Sequence, residues 1–220
     1  MNIIKDFIAE NKYSLKCPYL MTAELIVVHN TANDASAKDE ITYMKNSTSS
    51  TSFHFAVDDI EVRQAIPLDR NAWHASDGNN GNGNRCGIAI EICYSKSGGE
   101  KFNIAEENAA MLIAQLLKER GWGISRVKKH QDFSGKYCPH RTLDLGWERF
   151  INKIKSYMEE MPMDKFVDIE GHYAEKAIRD LFKMGVVNGV DETHFKPDEP
   201  IKRADVAIIA RNVIRYITGK

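Results

Sequence analysis

Three residues of metal-ligating type stand where a chain can hold them rigidly. His29 ends the apolar run Leu25-Ile26-Val27-Val28, and His130 and Cys138 bracket one polar loop. A catalytic zinc takes three protein ligands in a tetrahedral arrangement and leaves its fourth position to water. A thiolate with two neutral imidazoles suits Zn²⁺ better than Mg²⁺ or Ca²⁺. The chain has seven His, so position alone is a weak signal. Surface or core imidazoles and an unmodified loop thiol are the plain alternatives.

Glu91 lies inside the apolar run Gly87-Ile88-Ala89-Ile90-Glu91-Ile92-Cys93. Two readings stand for it. It points to the solvent face of a half-exposed strand, or, sharing its face with the small Ala89 and Cys93, it faces a cleft. In the second case burial raises its pKa towards the range of a general base. Lys136, two residues before Cys138, is either a solvated loop lysine or a fixed ammonium that stabilises an oxyanion.

The elements that must position these groups follow from patterning. Leu25–Val28, Phe53–Val57, Ile60–Ile66 and Gly87–Cys93 read as strands, the middle two as a hairpin turning at Asp58-Asp59. Helices are expected near Asp6–Tyr13, over Ala37–Met44, from Asn103 with Glu106 as a capping box to Gly121, and over Trp147–Met158. The Gly/Asn-rich stretch 76–84 reads as irregular surface loop, and 127–143 as polar loop. The break at Glu159-Glu160-Met161-Pro162-Met163 reads as a linker. Helices are expected over Ala174–Met184 and Ala204–Ile217 beyond it. Fewer than about 60 residues is marginal for an independent fold.

With 220 residues and a net charge of -1 there is no basic footprint for nucleic acid. No apolar run approaches the roughly 18 residues of a membrane helix. Lys5, Asp6, Glu10 and Lys12 interrupt the start of the chain, which is unlike a secretory signal. The expectation is a protein made in the cytoplasm. Four cysteines, Cys17, Cys86, Cys93 and Cys138, are too few for a disulfide framework.

The ordered set Val27-Val28-His29-Asn30-Thr31, Ser52-Phe53-His54-Phe55, Ala72-Trp73-His74-Ala75, Gly87-Ile88-Ala89-Ile90-Glu91, Lys129-His130-Gln131-Asp132-Phe133 and Lys136-Tyr137-Cys138-Pro139-His140 resembles the type 2 N-acetylmuramoyl-L-alanine amidases. These share a fold with peptidoglycan recognition proteins, and the likeness is greatest to endolysins of phages and prophages of Gram-positive hosts. It covers roughly residues 20–158. The resemblance implies an α/β fold with a central mixed β-sheet flanked by helices. It implies one Zn²⁺ held by His29, His130 and Cys138, with Glu91 and Lys136 catalytic. His74 and Phe53 would meet substrate, Phe53 standing where some relatives carry a catalytic Tyr. His54 is expected to be a packed strand residue. The implied reaction cuts peptidoglycan between N-acetylmuramic acid and L-alanine, on the cell wall after release. A non-catalytic peptidoglycan-binding protein, a purely structural zinc site and a host autolysin remain the other readings.

The tail, with Phe166-Val167-Asp168, His172-Tyr173-Ala174, Gly185-Val186-Val187-Asn188-Gly189 and Ile201-Lys202-Arg203-Ala204-Asp205, looks like one S-layer homology module. The resemblance implies a small helical unit that binds a secondary cell-wall polymer through Asp168, Tyr173 and Arg203. Tyr173, Lys202 and Asp205 replace the Trp, Thr and Glu usual in such modules. The layout expected is a catalytic domain over 1–158, a linker over 159–163 and a wall-binding module over 164–220. Self-association through the tail, a trimer being one form, is expected because such modules usually work in threes.

Overall fold

Six short strands form one mixed sheet in the computed structural model, which describes residues 3–160, 166–191 and 193–218. They are β1 (Ile3–Lys5), β2 (Leu25–Asn30), β3 (Phe55–Val57), β4 (Val62–Gln64), β5 (Gly87–Ile92) and β6 (Val127–Lys129), in the order β1-β4-β3-β5-β2-β6. Only the β3–β4 hairpin is antiparallel. β2, flanked by β5 and β6, is buried along its whole length, which is why it reads as a nearly unbroken apolar run rather than an alternation.

The helices of this unit are α1 (Tyr13–Lys16), α2 (Ala37–Asn46), α3 (Asn82–Cys86), α4 (Gly99–Glu119), α5 (Gln131–Ser134), α6 (His140–Asp144) and α7 (Trp147–Glu160). In α4, Ala109, Leu112, Ile113 and Leu116 form the buried stripe, packed against β3 and β5. Its Glu106 carboxylate is buried and accepts two hydrogen bonds from Arg149 of α7, at 2.8 and 2.7 Å. A buried charge is tolerated only when paired in this way. At the start of α2 the Ser36 hydroxyl accepts the Asp39 N–H at 3.2 Å, and the buried Asp58 carboxylate accepts the Ala37 N–H at 2.8 Å. Each satisfies a donor that the first helical turn leaves unpaired.

Several expectations change. Residues 6–13 do not form one helix: β1 precedes them and only residues 10–12 make a 3-10 turn before α1. Stretch 76–84 is not wholly irregular. The Asp77 carboxylate accepts the N–H groups of Gly83 and Asn84, at 2.7 and 3.2 Å, and so starts α3. α4 begins at Gly99, ahead of the supposed capping box at Asn103. The loop 127–143 contains β6, α5 and α6, elements too short for a periodic signal to register. Glu159 and Glu160 close α7, while the other linker residues, 161–163, lie outside the described residues.

The chain divides into two units, Met1–Met158 and Glu159–Lys220. The second holds α8 (Glu175–Lys183) and α9 (Arg203–Thr218). Its small core is Phe166, Ile169 and Ile178, with Ala174, Phe182 and Phe195 against it. Among the described residues no helix is long and apolar enough to cross a membrane.

His54 is fully buried and both its ring nitrogens are used. Nε2 lies 2.9 Å from the Arg70 carbonyl, and Nδ1 accepts the Ala89 N–H at 3.0 Å. It is a packed residue joining the start of β3 to β5, as expected from the sequence. Burial pushes its pKa down to about 4. Between the ordinary imidazole value near 6.5 and 4, the unfolded chain takes up a proton that the folded chain refuses. Stability is therefore present above pH 6.5 and falls as the pH drops towards 4, by about 3 kcal/mol from this group. Proton–nitrogen spectra of the His54 ring in the metal-free chain should show it still neutral at about pH 5.5. A ring that titrates near the ordinary value of about 6.5 would exclude a neutral buried His54.

Candidate functional site

Parallel register builds the site. His29 of β2 pairs with Glu91 of β5, and Val28 pairs with Lys129 of β6, so the next position sets His130 beside His29. All three lie at the carboxyl ends of parallel strands, where open α/β sheets present their ligand sites. Cys138 comes from the loop that follows. The Gln131 N–H reaches the Cys138 carbonyl at 3.0 Å and closes that loop. Gly135 makes its turn at φ +76, a conformation favourable to glycine.

Asn30, next to His29, fixes the far side of the same loop. Its Oδ1 accepts the N–H groups of Arg141 and Thr142, at 3.0 and 3.1 Å, at the start of α6. Its Nδ2 donates to the Thr142 hydroxyl at 3.3 Å. One buried amide thus ties the end of β2 to the turn just after Cys138.

The ligating atoms of His29, His130 and Cys138 lie within 4.8 Å of one another, and all three residues are buried. The two Nδ1 atoms are 3.1 Å apart, and Cys138 Sγ is 3.9 Å from His29 Nδ1. Tetrahedral zinc with ordinary bond lengths needs neighbouring donors roughly 3.3–3.6 Å apart. The donor set fits that ion in kind, and the 3.1 and 3.9 Å separations lie on either side of that spacing. Burial holds the His29 pKa well below the ordinary imidazole value, and the charges of His74, His130 and Lys136 act the same way. Burial also lowers the pKa of His130, with Lys136 adding to it. Both rings are thus kept in the neutral form that ligates metal. Without a cation, burial pushes the Cys138 thiol up to about 11. It pushes Glu91 up to about 8, helped by the charge of Glu40 and opposed by Lys136.

A cleft of about 820 Å³ opens over these groups and is lined by His29, His74, Glu91, His130, Lys136 and Cys138 among others. Its walls also include Tyr19, Thr31, Ser50, Thr51, Ser52, Trp73 and Asn84. The fully buried Lys16 ammonium donates to the carbonyls of Ser49 and Thr51, at 2.5 and 3.1 Å, and so folds the Ser/Thr-rich loop into one wall. Ser52 Oγ accepts the Trp73 N–H at 2.9 Å. Glu91 faces the cleft and not bulk solvent, which decides between its two readings. Phe53 is buried and does not line the cleft; its neighbour Ser52 does. His74 is buried and touches His29, with 3.0 Å between Nδ1 and Nε2.

In the second unit, the Asp168 carboxylate accepts the N–H groups of Phe195 and Lys196, the shortest at 2.7 Å. Tyr173 and Arg203 are exposed. Asn30, Thr31, Trp73 and Asn84 were missed as site residues. The first three sit inside the Val-Val-His-Asn-Thr and Ala-Trp-His-Ala stretches, whose histidines alone draw attention as titratable groups.

A buried two-histidine, one-cysteine donor set beside a carboxylate, at the carboxyl edge of a mixed sheet, defines a metal-site α/β protein with an open cleft. The chain belongs to the N-acetylmuramoyl-L-alanine amidase family, which matches residues 19–141. An S-layer homology domain matches residues 165–207. The N-acetylmuramoyl-L-alanine amidase XlyB of Bacillus subtilis (strain 168) is 66% identical over 191 residues, covering 86% of this chain and 59% of that protein. The solved structure of PlyL is 50% identical with a TM-score of 0.68, covering 70% of this chain and 97% of that one. A mutant endolysin from Bacillus subtilis is 43% identical with a TM-score of 0.64, covering 70% and 99%. The chain spans about 60% of the length of the curated relatives it matches.

Asn30→Ala should lower the unfolding free energy by about 1–3 kcal/mol, the usual cost of leaving buried donors unpaired. Chemical denaturation of the metal-free protein measures it. A loss within error of zero would show that the Cys138 loop is held by other contacts.

Proposed function

We propose that this chain is a zinc-dependent N-acetylmuramoyl-L-alanine amidase, hydrolysing the amide bond between N-acetylmuramic acid and L-alanine in peptidoglycan. The observation that carries the reading is the convergence of His29, His130 and Cys138 beside Glu91 on a cleft floor, in a chain of this family. One zinc ion held by those three residues would act as a Lewis acid and bring the pKa of a water molecule towards neutrality.

The chain's own groups do the rest. Glu91, half-buried and poised near neutral pH, accepts a proton from the attacking water and returns it to the departing alanine nitrogen. Lys136 at the cleft mouth donates to the oxyanion that develops on the lactyl carbonyl. The Ser50–Ser52 wall and Trp73 offer hydroxyls and an aromatic face to a polar, sugar-bearing substrate. Residues 1–158 form the catalytic domain and 164–220 the wall-binding module, joined through 159–163. In the module, Arg203 forks onto an anionic secondary wall polymer and Tyr173 packs beside it, while Asp168 holds the loop at Phe195. The exposed Val206, Ile208, Ile214 and Ile217 of α9 support self-association through this unit. A phage or prophage endolysin acting on the wall after release is the setting, supported by the likeness to a protein described as an endolysin.

Purified Gram-positive peptidoglycan should yield new N-terminal alanine amines, lost on chelation and restored by zinc. Glu91→Gln should keep its zinc and lose turnover by about 10²–10⁴-fold, the usual worth of a general acid–base group. Full activity in that zinc-loaded variant would remove Glu91 from the mechanism. In wall-pelleting assays Arg203→Ala should bind more weakly, and sedimentation should give a mass above the monomer. Unchanged pelleting would remove Arg203 from the wall contact, and a strict monomer would refute self-association.

A further inference from the structure

A metal-binding imidazole offers one ring nitrogen and carries its proton on the other, and what that other nitrogen meets selects the tautomer. The segment Trp73-His74-Ala75 meets both imidazoles of this site. His29 Nε2 lies 3.0 Å from His74 Nδ1, with the rings edge-on at 88°. The other nitrogen of His74, Nε2, is buried and completes no hydrogen bond, while the backbones of Gly83 and Gly87 favour a proton on the ring. With the proton on Nε2, His74 Nδ1 keeps a free lone pair that can accept the His29 Nε2–H across the 3.0 Å between them. This leaves His29 Nδ1 bare, on the side of Cys138 Sγ and His130 Nδ1. The Ala75 backbone favours a proton on the His130 ring, although His130 Nε2 completes no hydrogen bond.

The segment is itself anchored. Asn84 Oδ1 accepts the N–H groups of both His74 and Ala75, at 2.8 Å each. Asn84 Nδ2 donates to the Gly78 carbonyl at 3.1 Å, and its own N–H is held by Asp77. No side chain can be added at Gly83 without meeting Ala75 Cβ at 2.5 Å and Phe133 at 2.8 Å, so α3 presses directly against this segment.

We infer that His74 is a positioning residue: it accepts a hydrogen bond from His29 Nε2 and so aims His29 Nδ1 at the metal, with Asn84 holding His74 in place. This goes beyond the expectation that His74 contacts substrate, and it rests on the zinc reading above. A role of this kind acts on metal affinity before it acts on turnover.

Two measurements on the full chain test it. Long-range proton–nitrogen spectra of the ¹⁵N-labelled wild-type protein, metal-free and with zinc, read the tautomers directly. The expected result is a proton on Nε2 of His29 and of His74, with His74 Nδ1 bare. A proton on His74 Nδ1 overturns the inference. Chelator competition then gives zinc affinities for wild type, His74→Leu and His74→Asn. Leucine should weaken binding by about 10–100-fold, as loss of a ligand's hydrogen-bond partner typically does. Asparagine, whose Oδ1 takes the place of Nδ1, should recover most of that loss. A folded leucine variant that binds zinc as wild type does, or an asparagine variant no better than leucine, overturns the inference while leaving the metal centre intact. A wild-type chain that takes up no zinc overturns both. If the leucine variant does not fold, the tautomers decide.

Discussion

In parallel strands the side chains of one row point to the same face, and β6, β2 and β5 bring His130, His29 and Glu91 into one row at their carboxyl ends. The row is tolerable only because burial keeps its members neutral. Two imidazoles, a thiol and a carboxyl are buried together, and desolvation pushes each towards its uncharged form. The same desolvation that keeps the imidazoles available as ligands lifts Glu91 to about 8, the range in which a carboxyl can both take and give a proton near neutral pH. A dication at the donor atoms fits this arrangement because it favours loss of the thiol proton and compensates charge that burial otherwise forbids.

The surroundings serve that row. Asn30 holds the turn after Cys138, and Asn84 holds the segment that carries His74. Both use an amide whose acceptor takes two backbone N–H groups and whose donor reaches a further oxygen. Lys16 does related work at the cleft wall, with a buried ammonium satisfied by two backbone carbonyls. The cleft is thus framed by loops, but each loop is tied by buried polar side chains. That gives loop-borne groups the precision that an oriented ligand set requires.

The two units differ in the scale of their cores. The first buries a six-stranded sheet under α4 and the other helices. The second has a small aromatic and aliphatic cluster, and α9 contributes no fully buried residue to it. Its apolar Val206, Ile208, Ile214 and Ile217 are exposed instead.

Much of this was legible in the chain itself. The apolar runs gave β2 and β5, and alternation placed Glu91 with Ala89 and Cys93. The periodic stripe gave α4 and α7, and the residue types at 29, 130 and 138 pointed to a metal of zinc's kind. The readings of these elements survive because they depend on local pattern, which neighbouring residues carry, and the fold brings the donor atoms of 29, 130 and 138 together. The sequence did not show β1, β6, α3, α5 or α6, since elements of three to five residues take their shape from tertiary pairing and capping rather than from periodicity. Nor did it show that His74 lies against His29, or that Phe53 is buried away from the cleft. Which nitrogen of which ring meets which partner is fixed only when strands distant in sequence come into register, and that is a property of the folded chain alone.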